Sequence, residues 1–344
     1  MAAPTCTAAF ARTRFTVAVA VAAGAAVLVV DRRDGLLHSP LMPIHIGAVL
    51  VVSAFVVAAR ALHDRDLREL GQVRAVSEAA QRVLLRPIPR QLGPLRVASV
   101  YRAATKHALV GGDLYAAART GSTTRVLIGD VRGKGLPAIA DASAVLGAFR
   151  EAAHQYRTLP ELAAALERSL RRHLAELAAS QGEGEGEDGH GSDSDLDYAE
   201  RFVTALLIEL PDAEGLVRVV SCGHPAPLLR RHGRVTLLDV AQPAPPLGLA
   251  GDTPDAFPLD TFAFGPGDTL LLYTDGLAEA RDAGGGFYPV LDRAAGWPWD
   301  SPGGLVGHVS RDVDGHVGPH LDDDLALVAV QRAARPPRPR EAWS

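Results

Sequence analysis

The sequence predicts an α+β domain, with sheets covered by helices, carried behind a membrane anchor and a linker helix. Three observations predict it. From about residue 94, apolar strand-like runs outnumber helical ones. Two long helical segments separate one group of strands from the next. Ahead of residue 60, two apolar runs are almost free of charge. Segregated strands and helices make sheets with helical cover, and uncharged runs of this length make membrane spans.

The first run, Phe15 to Val30, has no charged residue, and the second, Leu41 to Ala59, carries only His45. A helix needs about 20 residues, at roughly 1.5 Å each, to cross a bilayer core of roughly 30 Å. The second run meets this, and the first does so if Arg12 and Arg14 snorkel at the interface. A cleaved leader is the competing reading, but no small-residue cleavage site follows. Arginines at 12, 14, 60, 65, 68 and 74 outweigh Arg32 and Arg33, which share their loop with Asp31 and Asp34. The chain is therefore expected at the cell membrane as a multi-pass protein, with both termini and the domain cytoplasmic. Residues 1–60 form the anchor, and 61–90 a linker or signalling helix. In that helix Leu67, Leu70, Val73, Val76, Ala80 and Val83 recur at three- and four-residue spacing, as for an apolar stripe. It reads either as a signalling or dimerising helix, the seam of a homodimer, or as a plain linker. Pro87 and Pro89 end it.

Residues 91–332 form the main domain. Strands are expected at 95–104, 124–131, 202–210, 216–222, 226–231, 234–240, 269–276 and 325–332, and helices at Leu136–Tyr156 and Leu159–Ala179. Gln181 to Asp197 is glycine-rich, acidic and nearly without apolar residues, so it predicts a disordered loop. Residues 333–344, rich in proline and arginine, predict a disordered tail.

Composition narrows the chemistry. Of 344 residues 47% are hydrophobic, consistent with a membrane part, and the net charge of −5 gives no sign of a nucleic-acid partner. Cys6 and Cys222 are the only cysteines, which excludes a disulfide framework and a cysteine zinc site. Lys106 and Lys134 are the only lysines in an arginine- and alanine-rich chain, a bias that reads as GC-rich coding.

Four acids share one placement. Asp113 follows Gly111-Gly112, Asp130 ends the run VLIG, Asp275 ends LLLYT, and Asp323 precedes LALVAV. Acids at the ends of buried strands point to the rim of a sheet, where converging carboxylates repel unless cations lie between them. Oxygen donors without His or Cys select hard ions, Mg²⁺ or Mn²⁺. Glycines beside them (Gly112, Gly129, Gly276) let the backbone approach. Any one of these acids alone reads as a turn residue or helix cap.

Two other motifs fail on their neighbours. A nucleotide cyclase of the GGDEF type needs an acid after GGD, and Leu114 stands there. A phosphate-binding loop needs Ser or Thr after its lysine, and Gly135 follows Lys134. Cys222, in SCGHP, lacks the donor loop and arginine of a cysteine phosphatase.

From Val76 to Gln331 the chain resembles the PPM-type (protein phosphatase 2C-like) serine/threonine phosphatases, in their bacterial SpoIIE/RsbU-like branch. The resemblance rests on VGGDLY, IGDVRGKGLPA, FVTALL, SCGHPAPLLR, PAPPLGL, LLLYTDGLAEARD and DDLALV, in that order. It implies an αββα sandwich with two Mn²⁺ or Mg²⁺ ions at one rim. The matching ligands are Asp113, Asp130, the Val131 carbonyl, Asp275 and Asp323. Asp324 is the register alternative to Asp323, and His224 a further candidate as an acid. The implied activity is hydrolysis of phosphoserine and phosphothreonine by a water that two metals activate. The implied substrate is a phosphorylated protein, an anti-sigma-factor antagonist in a partner-switching pathway. The alternative is a catalytically degenerate domain that only binds its partner. Ala116 stands where the family pattern GGDxYD ends in an acid, and Ala278 and Ala326 where many members have Thr.

Overall fold

The computed structural model describes residues 51, 81, 83–104, 111–182, 201–318 and 321–333. Both predicted spans apart from Val51, most of the linker helix, residues 183–197 of the predicted loop, and the tail beyond 333 lie outside the described residues. Among the described residues no helix is long and apolar enough to cross a membrane. The chain divides into two units, Met1–Val73 and Arg74–Ser344. Val51 is the one described residue of the first, and both sheets and all the candidate site residues belong to the second.

Eleven strands are present among the described residues: β1 (Gln91–Leu92), β2 (Leu95–Arg102), β3 (Leu114–Thr120), β4 (Thr123–Val131), β5 (Val203–Pro211), β6 (Leu216–Cys222), β7 (Leu228–Arg231), β8 (Arg234–Leu237), β9 (Asp260–Ala263), β10 (Thr269–Tyr273) and β11 (Leu325–Arg332). The helices are α1 (Leu136–Gln155), α2 (Leu159–Gly182), α3 (Asp275–Ala278), α4 (Val290–Ala294) and α5 (Pro302–Val317). One sheet runs β1-β2-β11-β10-β7-β8 and the other β3-β4-β5-β6-β9. Every pairing between these strands is antiparallel.

The layers depend on which face each strand must bury. All eight residues of β11 are buried. Ala326, Val328 and Val330 face the core between the sheets, while Leu325, Leu327 and Ala329 face a second cluster with Leu305, Val309 and Val313 of α5. This is the two-residue period of a strand covered on both sides. Helices α1 and α2 pack on β3 to β6 and send Leu146, Phe149, Leu162 and Leu166 into the larger core. The order is therefore helices, sheet, sheet, helix, the αββα sandwich that the resemblance implied.

Several elements were not expected. Strand β3 (LYAAART) is alanine-rich, and alanine has little strand propensity. It forms because full pairing with β4, from Leu114↔Gly129 to Thr120↔Thr123, overrides propensity. Helix α5 carries four glycines, Gly303, Gly304, Gly307 and Gly315, which lower its helix stability, yet it buries Leu305, Val306, Val309 and Val313 on the outer sheet. Ser301 caps it, accepting the Gly304 amide at 3.2 Å. Ser301→Ala is expected to cost about 1 kcal/mol, a fall of roughly 2–4 °C in the domain's melting temperature, measured by calorimetry. The linker stripe is also out of phase at its end. Val83 is 76% exposed and Gln81 is buried at 4%, so a polar residue enters the domain where an apolar one was expected.

A buried polar anchor holds α1 to the sheet. Arg125 donates to Glu209 at 2.9 Å and to the carbonyls of Ala153, Tyr156 and Arg157. The guanidinium satisfies carbonyls at the end of α1 that a helix cannot satisfy itself.

Candidate metal centre

The acids meet at one rim of the sandwich because four strand ends meet there. The β3–β4 register pairs Leu114 with Gly129, and one further step sets Asp113 opposite Asp130. The Val131 amide donates to the Gly112 carbonyl at 3.3 Å, which continues the same ladder. In the other sheet β10 ends where β11 begins, with Tyr273 opposite Leu327. Thr274 bridges the sheets: its hydroxyl donates to Asp113 Oδ2 at 2.7 Å and accepts the Ala326 amide at 2.9 Å. Asp275 then opens the one-turn helix α3 instead of ending the strand as expected.

Carboxylate oxygens of Asp113, Asp130 and Asp275 lie within 4.8 Å of one another. Burial holds Asp113 well above the usual carboxylate range, and the charge of Asp130 adds to it. Asp130 is pushed up to about 8 by burial first and then by Asp275 and Asp323. Asp275 is raised by burial and by Asp323. Three carboxylates thus share a small volume in which their charges oppose one another. A hard divalent cation fits: every donor is oxygen, and its charge removes the repulsion that raises these groups.

Close backbone approach depends on the neighbouring glycines. A Cβ on Gly276 would lie 1.8 Å from the Asp324 carbonyl oxygen, and one on Gly129 2.4 Å from that of Thr204. One on Gly112 would lie 2.5 Å from the Val131 carbonyl oxygen, the expected main-chain ligand.

The adjacent aspartates separate in role. Asp324 is buried, and its carboxylate accepts the amides of Ala104 at 2.7 Å and Gly111 at 2.9 Å and the Tyr101 hydroxyl. It ties β2 to the turn that carries Asp113. Asp323 stays outside the three-carboxylate group and pairs with Lys134 at 2.9 Å. His224 is held elsewhere: Nδ1 meets the Thr204 hydroxyl and Nε2 the Tyr273 carbonyl, each at 3.1 Å. Burial lowers its pKa to about 4, so the ring is neutral at pH 7. Both nitrogens are used in packing the two sheets. Cys222 is buried in the core, and burial raises its thiol pKa.

Sequence reading missed three residues at the rim: Thr274, Tyr101 and Gln81. The Gln81 amide donates to the carbonyls of Gly111 at 3.3 Å and Asp113 at 3.4 Å, and its Oε1 accepts the Tyr101 hydroxyl at 2.6 Å. The sequence does not distinguish Gln81, because Gln72 and many charged residues share the same linker. Gln81→Ala leaves a buried carbonyl and hydroxyl without that partner, a cost of about 1–3 kcal/mol. Because the carbonyls flank Asp113, Mn²⁺ binding is expected to weaken about tenfold with unchanged global folding, measured by calorimetry beside circular dichroism.

With this geometry in place, comparison with known proteins gives the family. The sequence pattern of the family described as stage II sporulation protein E (SpoIIE) matches residues 120–333. The chain belongs to that family. Among solved structures it is similar to the RsbU and RsbW domains of a Mycobacterium tuberculosis protein, at 26% identity and TM-score 0.52 over 71% of this chain and 61% of that one. It is similar to the SiaA-PP2C domain of Pseudomonas aeruginosa, at 17% identity and TM-score 0.55 over 79% and 98%. A third is the PP2C phosphatase domain of SpoIIE from Bacillus subtilis with a fragment of its regulatory domain, at 16% identity and TM-score 0.51 over 71% and 65%. The chain thus spans about three-fifths of the first of these and two-thirds or less of the third. The fold is of the PP2C type.

Proposed function

We propose that the chain is a protein phosphatase that hydrolyses phosphoserine and phosphothreonine with two divalent cations, Mn²⁺ or Mg²⁺. One observation carries this reading: Asp113, Asp130 and Asp275 converge within 4.8 Å at the rim of a PP2C-type sandwich. These three, the Val131 carbonyl and Asp323 are the proposed ligands. Two such ions supply an activated water and neutralise phosphoryl oxygens. The chain's own part is to hold the carboxylates in place. Thr274 fixes one oxygen of Asp113, Gln81 fixes the carbonyls beside it, and Asp324 anchors the preceding turn. An acidic rim repels a phosphomonoester, so substrate and cation binding are coupled.

The proposed substrate is a phosphorylated anti-sigma-factor antagonist in a partner-switching pathway. Similarity to the RsbU and RsbW domains supports that reading. The segments 15–30 and 41–59 are proposed as a membrane hairpin, from their apolar length and flanking arginines. Residues 61–90 would join it to a cytoplasmic catalytic domain, with the helix available as a homodimer seam.

The test is turnover of p-nitrophenyl phosphate and of a phosphoserine peptide by the purified full-length chain. Manganese-dependent turnover, lost in EDTA and in Asp275→Ala, is expected. A folded, Mn²⁺-bound chain that turns over neither substrate would refute it and leave a partner-binding domain.

A further inference from the structure

Lys134 lies in the turn between β4 and α1, flanked by Gly133 at φ +106° and Gly135 at φ +87°. Its ammonium donates to Asp323 Oδ1 at 2.9 Å, and the same oxygen accepts the Asp324 amide at 2.9 Å. Asp323 is therefore held on the lysine and outside the group of Asp113, Asp130 and Asp275. Its charge still acts on Asp130 and Asp275. The Lys134 charge offsets only a small part of the rise that burial and Asp323 impose on Asp275.

Two features make this pair exchangeable. The side chains are 34% and 48% exposed, against 5% and 8% for the buried pair of Arg125 and Glu209. Exposed pairs are weak and screened by salt. The cation is also a lysine in a chain with only two. An arginine would grip the carboxylate with a planar two-pronged fork, whereas an ammonium is a single rotatable charge.

We propose that Lys134 is an internal competitor for Asp323, a positioning residue that makes cation loading an exchange. An entering ion takes the Asp323 carboxylate only as the ammonium leaves it. Lys134 thereby sets the cation affinity of the site, holding it below what the four aspartates would give alone. This rests on the two-cation reading above.

Mn²⁺ titration into the metal-stripped full chain, followed by calorimetry and by the paramagnetic signal of free Mn²⁺, tests it. Lys134→Met is expected to tighten Mn²⁺ binding about fivefold, the scale of a partly exposed ion pair. Lys134→Arg is expected to loosen it, and both differences should vanish in an Asp323→Asn background. A purely structural lysine would not order the affinities Met, Lys, Arg. If all three bind Mn²⁺ equally, or Met binds more weakly while circular dichroism is unchanged, the proposal falls and the two-cation reading stands. If the folded parent chain binds no Mn²⁺, both fall together.

Discussion

Asp130→Asn is expected to remove metal-dependent turnover and to stabilise the metal-stripped domain. The two effects have one cause. Asp130 lies in β4, its carboxylate within 4.8 Å of those of Asp113 and Asp275, and after burial the charges of Asp275, Asp323 and Asp324 press upon it. If Asp130 is the ligand proposed above, its loss is expected to remove several kcal/mol of transition-state stabilisation, about 10³-fold or more in rate. Without cations the same carboxylate is a liability.

The pH dependence has a definite sign. The carboxyl titrates near 3.8 when free and near 8 in the fold, so between those values the folded state holds the proton more tightly. Its contribution to stability is complete below about pH 4 and is lost as pH rises towards 8. In EDTA the parent should lose melting temperature from pH 5 to 8, and Asn at position 130 should flatten that slope. Mn²⁺ should restore the parent and leave the variant unmoved. Equal slopes for the two proteins would show that repulsion at Asp130 does not govern the empty centre.

The sandwich was legible where strands are buried on both faces. LALVAVQR and LVRVVSC are apolar almost throughout, and β11 and β6 match their predicted limits. Elements whose residues are poor formers of their own structure were not legible. The alanines of β3 and the glycines of α5 give weak local signals, and tertiary pairing decides both. The site was legible to the level of strand ends. Gly-Gly-Asp, Gly-Asp and Asp-Gly marked Asp113, Asp130 and Asp275, which do converge. The run Asp322-Asp323-Asp324 could not be resolved, because one residue of register decides which side chain is buried. Asp324 turned inward onto backbone amides, and Asp323 outward onto Lys134. Gln81 and Tyr101 were invisible, since their value lies in carbonyls and carboxylates brought near only by folding.

Gly112→Ala should disable the centre without touching an acid. The added methyl would lie 2.5 Å from the Val131 carbonyl oxygen, 2.6 Å from its Cβ and 2.8 Å from its amide nitrogen. None of these can step aside. Val131 ends β4, which pairs with β3 from Thr123 to Gly129 and with β5 along its whole length, Val131 opposite Val203. The chain must separate there, and the Gly112–Val131 backbone bond and the placement of Asp113 go with it. An overpacked backbone contact of this kind costs about 3 kcal/mol, a loss of roughly 6–12 °C in melting temperature for a domain of this size. Displacing a supported ligand weakens Mn²⁺ binding by about 10–100-fold. Gly147→Ala is the matched control. Gly147 lies exposed in α1 with open space at its Cβ position, so the same methyl should stabilise by about 0.5–1 kcal/mol. Opposite signs for one chemical change would place the sensitivity in the contact with Val131. A Gly112→Ala protein that melts with the parent and binds Mn²⁺ as tightly would mean that the end of β4 yields, and that the carbonyl it carries is not held for an ion.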